Sequence, residues 1–282
     1  MYKIAILGTE NTHAWGFASL LKEGLYPDIE LVGYYGDEQG NTAIKTKTGF
    51  DCVMNDYNDL VGKVDAVMVT ARHGANHLKY ARSYIESGIP VWIDKPITCS
   101  IKDTREFVDL CTKYHNPVCG GSMLGLVEDT LSLRRSFEEC GGNISGGAVF
   151  APVNMVNLYG NFWFYATHLV QVMLSVFGND VKSVSALKSP KGVSAVYRYD
   201  NFDVTALYGA EYNYACVLYG KQMVYREIDL SDGTRREMNE FSELLHTGKA
   251  RQTFEELTRP VFVIDATNKA FDSGKLTEIE SL

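Results

Sequence analysis

The chain has 282 residues, 45 % of them apolar and 22 % charged, with a formal net charge of −8. That length suits two domains, each with a sizeable core. The acidic balance argues against a surface built to neutralise nucleic-acid phosphates. The first apolar run, Ile4-Ala5-Ile6-Leu7, is too short for a membrane span or a signal-peptide core. The expectation is a cytoplasmic protein with neither nucleic acid nor membrane as partner. Six cysteines are scattered with no Cys-x-x-Cys pair, the pattern of reduced thiols rather than a zinc site. His73 and His77 are four apart with no third ligand close in sequence, so no metal is expected.

The first 120 residues alternate short apolar runs with amphipathic stretches, which predicts a doubly wound parallel sheet. Residues 2–7 form the first predicted strand, and residues 12–23 a helix with Trp15, Phe17, Leu20 and Leu21 on its apolar side. A second strand follows at 31–35, a third at 51–54 and a fourth at 66–70, the last apolar on both faces. A helix over 77–87 is closed by Gly88, and Pro90-Val91-Trp92-Ile93 is the fifth strand. Asp94-Lys95-Pro96 then stands at the carboxyl end of that strand, where ligands bind in open α/β sheets. A helix over 101–114 and a strand at 117–119 complete this half, and Gly120-Gly121 marks the junction.

After a helix at 128–139 the second half turns to alternating strands, at 181–187, 193–199, 204–209 and 215–219, which predict an antiparallel sheet. Tyr159, Tyr165, Tyr197, Tyr199, Tyr208, Tyr212, Tyr214 and Tyr219 fall here. Alternation is expected to place several of them on one sheet face, either as an interface between copies or as a substrate wall.

The run Val64 to Thr70, then His77, Ala81, Gly88, Val91 and Asp94-Lys95-Pro96, resembles the Gfo/Idh/MocA family. Its strand, its His…Ala…Gly helix and its Glu-Lys-Pro motif are matched, with Asp94 in place of the Glu. Gly160-x7-His168-x9-Gly178 is similar to the family's Gly-x-x-x-Asp-x-Gly-x-His-x-x-Asp helix. Residues 240–274 are similar to the helical segment that closes family members. The resemblance implies an α/β fold with an N-terminal Rossmann domain, residues 1–120. A C-terminal α+β domain with an open, mostly antiparallel sheet would follow over 121–282, binding substrate and forming a homo-oligomer through that sheet.

The implied activity is NAD(P)-dependent hydride transfer between nicotinamide and a carbinol carbon of a polyol, sugar or related small molecule. Lys95 would take the hydroxyl proton, since a lysine beside the positively charged nicotinamide has its pKa lowered. His168 would relay or orient that proton, and Tyr165 is a further candidate donor. The alternative is a family member without hydride chemistry that binds a ligand or nucleotide for regulation.

Two departures motivate that alternative. The phosphate turn, Gly-x-Gly-x-x-Gly in the family, is Gly8-Thr9-Glu10-Asn11-Thr12-His13 here. Glu10 places a carboxylate where phosphate should approach, while Thr9, Asn11 and Thr12 offer polar groups and Thr12 is a candidate helix cap. His13 is either a phosphate donor or simply the start of an exposed helix face. Phe164 stands where the family has an Asp four residues before the His, and Gln171 replaces a second Asp. Asp37, ending the second strand, suits a ribose 2′-hydroxyl and favours NAD over NADP, or else caps a turn. Thr70, His77, Asp94 and Pro96 complete the expected cofactor contacts.

Overall fold

The computed structural model describes residues 1–141 and 143–282, which divide into two compact units. The first comprises Met1–Gly121 with Thr234–Leu257, and the second Ser122–Gly233 with Thr258–Leu282.

In the first unit β1 (Tyr2–Leu7), α1 (Thr12–Lys22), β2 (Ile29–Tyr35), α2 (Glu38–Thr48), β3 (Ala66–Val69), α3 (His77–Glu86), β4 (Val91–Asp94), α4 (Ile101–Lys113) and β5 (Val118–Gly121) follow one another. The sheet has the order β2-β1-β3-β4-β5, and each pairing is parallel. Chain order reverses between β1 and β3, so the switch point lies at their carboxyl ends. Every residue of β3 and β4 is buried, as a strand covered by helices on both faces requires. Ser100 caps α4 by accepting from the Asp103 amide, and Gly49 closes α2 in the left-handed conformation.

Residues 51–54 are not a strand. A single bridge joins Tyr34 to Val53, and Val53 is largely exposed with turns following at once. One ladder step cannot outweigh the ordering entropy of a strand.

The second unit begins with α5 (Glu128–Glu139) and continues through β6 (Gly146–Pro152), α6 (Phe162–Phe177), β7 (Ser183–Ser189), β8 (Gly192–Arg198), β9 (Asp203–Gly209), β10 (Ala215–Tyr219) and β11 (Met223–Glu227). Then come α7 (Gly233–Thr247), α8 (Phe254–Ser273) and β12 (Thr277–Glu278). The seven strands lie in the order β11-β10-β6-β9-β8-β7-β12. All pairings are antiparallel except β6 with β9. Twelve of the 16 residues of α6 are buried, because this helix lies within the apolar cluster made with one face of the sheet. Along β8 and β9 buried and exposed residues alternate, so the other face is open to solvent.

The tyrosines do not share that open face. Tyr197 and Tyr208 point inward, their hydroxyls bonded to one another, and Tyr197 also reaches Thr267 Oγ1 at 2.8 Å. Tyr199 is buried with its hydroxyl donating to Gly178 O, while Tyr212 and Tyr219 are exposed. The positions of Tyr197 on β8 and Tyr208 on β9 have the parity of the core-facing side, which sequence alternation alone does not label.

From the far end of the chain, α7 returns to the first unit. Met238, Phe241 and Leu244 join the cluster around Phe17, Tyr34 and Trp92, and Tyr26 Oη donates to Asn239 Oδ1 at 2.7 Å. Among the described residues no helix is long and apolar enough to cross a membrane.

Candidate functional site

The turn after β1 is fixed from several sides. Gly8 has φ +108°, and a Cβ there would lie 2.2 Å from the Ala71 nitrogen, so only glycine fits. Thr70 Oγ1 donates to Gly8 O at 3.0 Å, locking the turn onto the end of β3. Thr9 packs on the other side, where a Cβ on Gly36 would meet its Oγ1 at 2.1 Å and one on Gly40 its carbonyl oxygen at 2.2 Å.

Asn11, not Thr12, caps α1: its Oδ1 accepts from the His13 amide at 3.2 Å, and Thr12 is an exposed first helical residue. Glu10 Oε1 accepts from the Arg72 amide beyond β3 at 3.1 Å, which holds its charge on that loop. Asp37 caps α2, its Oδ1 accepting from the Gly40 amide at 2.7 Å, the turn role that sequence left open.

At the end of β4, Asp94 is fully buried and Lys95 nearly so. Asp94 Oδ1 accepts from the Lys95 amide at 2.7 Å, and Oδ2 accepts from Asn11 Nδ2 at 2.7 Å. His13 Nδ1 stands 3.0 Å from the same Oδ2, so His13 faces inward instead of opening an exposed helix face. Burial alone would push the His13 ring down; Asp94 and Glu237 outweigh it and hold the ring above its ordinary value. For Asp94, burial pushes up while His13, Lys95 and His77 pull the carboxyl below its usual range. Burial is the largest influence on Lys95 and lowers its amine, against the opposing pull of Asp94 and Glu237.

Glu237 of α7 was not singled out by sequence. It is buried, and neither carboxyl oxygen has a hydrogen-bond partner among the described residues. Burial lifts its pKa to about 8, with His13 pulling the other way.

His77 is also fully buried and spans two loops, Nε2 lying 2.7 Å from Ala71 O and Nδ1 2.8 Å from Pro96 O. It ties the loop after β3 to the loop carrying Lys95. His73 Nδ1 accepts from the Ala75 amide. Among the described residues no cluster of three or more His, Cys, Asp or Glu has the arrangement of a metal site.

In the second unit His168 is buried on α6, its Nδ1 2.8 Å from Ser122 Oγ. Tyr165 and Tyr214 flank the ring at centroid distances of 5.9 Å each. Tyr165, one turn earlier on the helix, is therefore a neighbour of His168. Phe164 packs against Tyr159 and Tyr165, and Gln171 donates to Ser175. Ser122 carried no distinguishing sequence signal, since a serine after two glycines is an ordinary loop residue, whereas Tyr214 stood among the tyrosines named as a possible substrate wall.

The first unit's residues fit a dinucleotide. The tight Gly8 turn, the capped amino end of α1 and the engagement of Glu10 by Arg72 leave the phosphate turn usable. One Asp37 oxygen remains beyond its cap.

Residues 3–121 match the family described as "Oxidoreductase family, NAD-binding Rossmann fold". The whole chain resembles scyllo-inositol dehydrogenase of Lactobacillus casei with bound NAD(H) and scyllo-inositol, with TM-score 0.86, 15 % identity and 99 % of each chain covered. It also resembles myo-inositol 2-dehydrogenase of Lactobacillus plantarum, with TM-score 0.87, 14 % identity and 99 % of each chain covered. A probable dehydrogenase of Thermotoga maritima gives TM-score 0.84 at 14 % identity, over 98 % of this chain and 99 % of that one. Comparison with curated proteins gave no match. At these identities the solved structures establish the fold, and the family match covers residues 3–121. Over residues 3–121 the chain is thus similar to the Gfo/Idh/MocA oxidoreductase family.

Proposed function

We propose that the protein is an NAD-dependent dehydrogenase that moves a hydride between nicotinamide and the carbinol carbon of a polyol, sugar or related small molecule. The observation that carries this reading is Lys95, buried at the carboxyl end of β4 with its amine lowered by that burial. A hydroxyl losing its hydride must also lose a proton, and a neutral amine held in a dry setting takes it efficiently. His168, fixed by Ser122, is assigned to orienting a substrate hydroxyl in the second unit, with Tyr165 as a further phenol beside its ring.

The nucleotide is assigned to the first unit, with the Gly8–His13 turn at the phosphates, Asp37 at the ribose, and Thr70, His77, Asp94 and Pro96 shaping the nicotinamide side. Bound there, NAD supplies the hydride-accepting carbon. Asp37 adds a negative charge that disfavours a 2′-phosphate, hence NAD over NADP. The substrate is assigned to the second unit. Inositols, named for two of the similar structures, belong to the substrate class proposed.

Glu10 in the turn and Phe164 in place of a carboxylate favour the second reading, a ligand- or nucleotide-binding regulator. Addition of NAD or NADH at millimolar concentration is expected to raise the melting temperature, because a ligand specific to the folded state stabilises it by mass action. No shift with any nicotinamide nucleotide sinks the dehydrogenase. A shift without turnover on polyols and keto-sugars selects the regulator.

The second unit's open sheet face is assigned to self-association. Phe150 pairs with Leu207 across β6 and β9, and both are exposed along with Leu187, Tyr219 and Tyr225. Exposed apolar side chains spread over one sheet face are covered in stable assemblies. Leu207→Glu is expected to convert an oligomer to monomer by light scattering, and a wild-type monomer at tens of micromolar refutes the assignment.

A further inference from the structure

Asp94 joins two segments far apart in sequence. From the turn after β1, Asn11 donates to its Oδ2 and His13 lies 3.0 Å from the same oxygen. From the end of β4, the Lys95 amide donates to Oδ1. The His13 ring is seated in turn, edge-on to Phe17 at 6.3 Å, with Phe17 edge-on to Trp92 at 4.9 Å. Nothing in ordinary helix-start chemistry calls for a buried imidazole at this position, and a dinucleotide turn usually has glycine there.

We propose that His13 is a positioning residue for Lys95, acting through Asp94: the imidazolium neutralises the Asp94 carboxylate, so that Asp94 does not hold a proton on the neighbouring amine. The inference deepens the dehydrogenase reading and rests on it for its catalytic meaning, though not for its test.

The electrostatics are specific. Asp94 adjoins Lys95 and favours the ammonium form; an unopposed carboxylate would raise the amine and remove its use as a base near neutral pH. A cation on Oδ2 cancels most of that pull, leaving burial dominant. The other charged groups acting on Lys95 are Glu237 of α7 and Arg72 after β3, while His77 acts on Asp94. Asn11 and His13 both meet Asp94 Oδ2 with their side chains. Asn11 holds the carboxylate in place without changing its charge. His13 does both.

The two departures from the family pattern at 13 and 94 thus become one arrangement. A carboxylate one methylene shorter than glutamate keeps its oxygens close to the strand end, within reach of a side chain at position 13.

The test follows the Lys95 13Cε resonance against pH in the cofactor-free protein, assigned with Lys95→Arg. His13→Gln, which keeps polar contact but removes the cation, is expected to raise the Lys95 midpoint by about one pH unit, roughly a tenfold fall in neutral amine. Asp94→Asn alone is expected to lower it, and combined with His13→Gln to cancel the rise. An unchanged midpoint in His13→Gln overturns the proposal. If that variant fails to fold, His13→Asn is followed in its place, and an unchanged midpoint there overturns the proposal equally. Because no cofactor or turnover enters, failure of the dehydrogenase reading leaves this result standing. If turnover is found, His13→Gln should displace its pH profile by the same amount.

Discussion

Turnover of Lys95→Ala is expected to fall by about 10² or more, with NAD binding, followed by protein fluorescence, largely preserved. The amine is the group proposed to carry the substrate proton, and a buried site gives water little scope to replace it. Oxidation by the wild type should rise with pH through a midpoint below the ordinary lysine value of 10.5, because only the neutral amine accepts a proton and burial lowers its pKa. Equal losses of NAD affinity and turnover would reassign Lys95 to holding the nucleotide. Unchanged turnover would remove it from the mechanism.

The second large effect concerns stability. Glu237 is a buried acid with a pKa raised from an ordinary 4.5 to about 8. Below the ordinary value both folded and unfolded chains are protonated there, and the group is neutral to stability. Between the two values the unfolded chain has released the proton and the folded chain keeps it, so stability falls as pH rises. Above about 8 the whole cost is present.

His13, whose pKa is raised, adds a slope of the same sign above its ordinary 6.5. Glu237→Gln removes the acid and weakens the support that it lends the His13 charge, so both slopes shrink. Its melting temperature should therefore decline less than that of the wild type between pH 5 and 8.5, a difference of up to a few kcal/mol at about 1.4 kcal/mol for each pH unit crossed. On the scale of about 2–4 °C per kcal/mol this amounts to several degrees. Parallel curves for the two proteins would show that Glu237 is ionised in the fold at neutral pH.

Much of the first unit was legible because parallel strands covered on both faces leave continuous apolar runs. β1, β3 and β4 follow from Ile4 to Leu7, Ala66 to Val69 and Val91 to Ile93, and the place of Lys95 follows from β4. In the second unit β6 went unrecognised, since Gly146, Gly147 and Pro152 resemble a loop. Its glycines answer to packing: a Cβ on Gly147 would stand 2.3 Å from Phe177 Cζ.

Among the candidate residues, Lys95 and His168 were singled out through motif spacing. Their supports were not. Ser122 reaches His168 across 46 positions, and Asn11 reaches Asp94 across 83. Glu237 is buried only because α7 packs onto strands laid down more than a hundred residues earlier. Periodicity reports which face of an element is apolar, not which distant polar group that face meets.

The return of α7 has a bearing on synthesis. The first unit's core includes Met238, Phe241 and Leu244, so its sheet cannot be fully enclosed when residue 121 leaves the ribosome. Residues 122–257 must follow, 136 of them, which takes roughly 7–27 s at about 5–20 residues per second. During that interval the nascent first unit keeps an uncovered apolar surface, the state that chaperones recognise. A chain cut between the units would carry that exposure permanently.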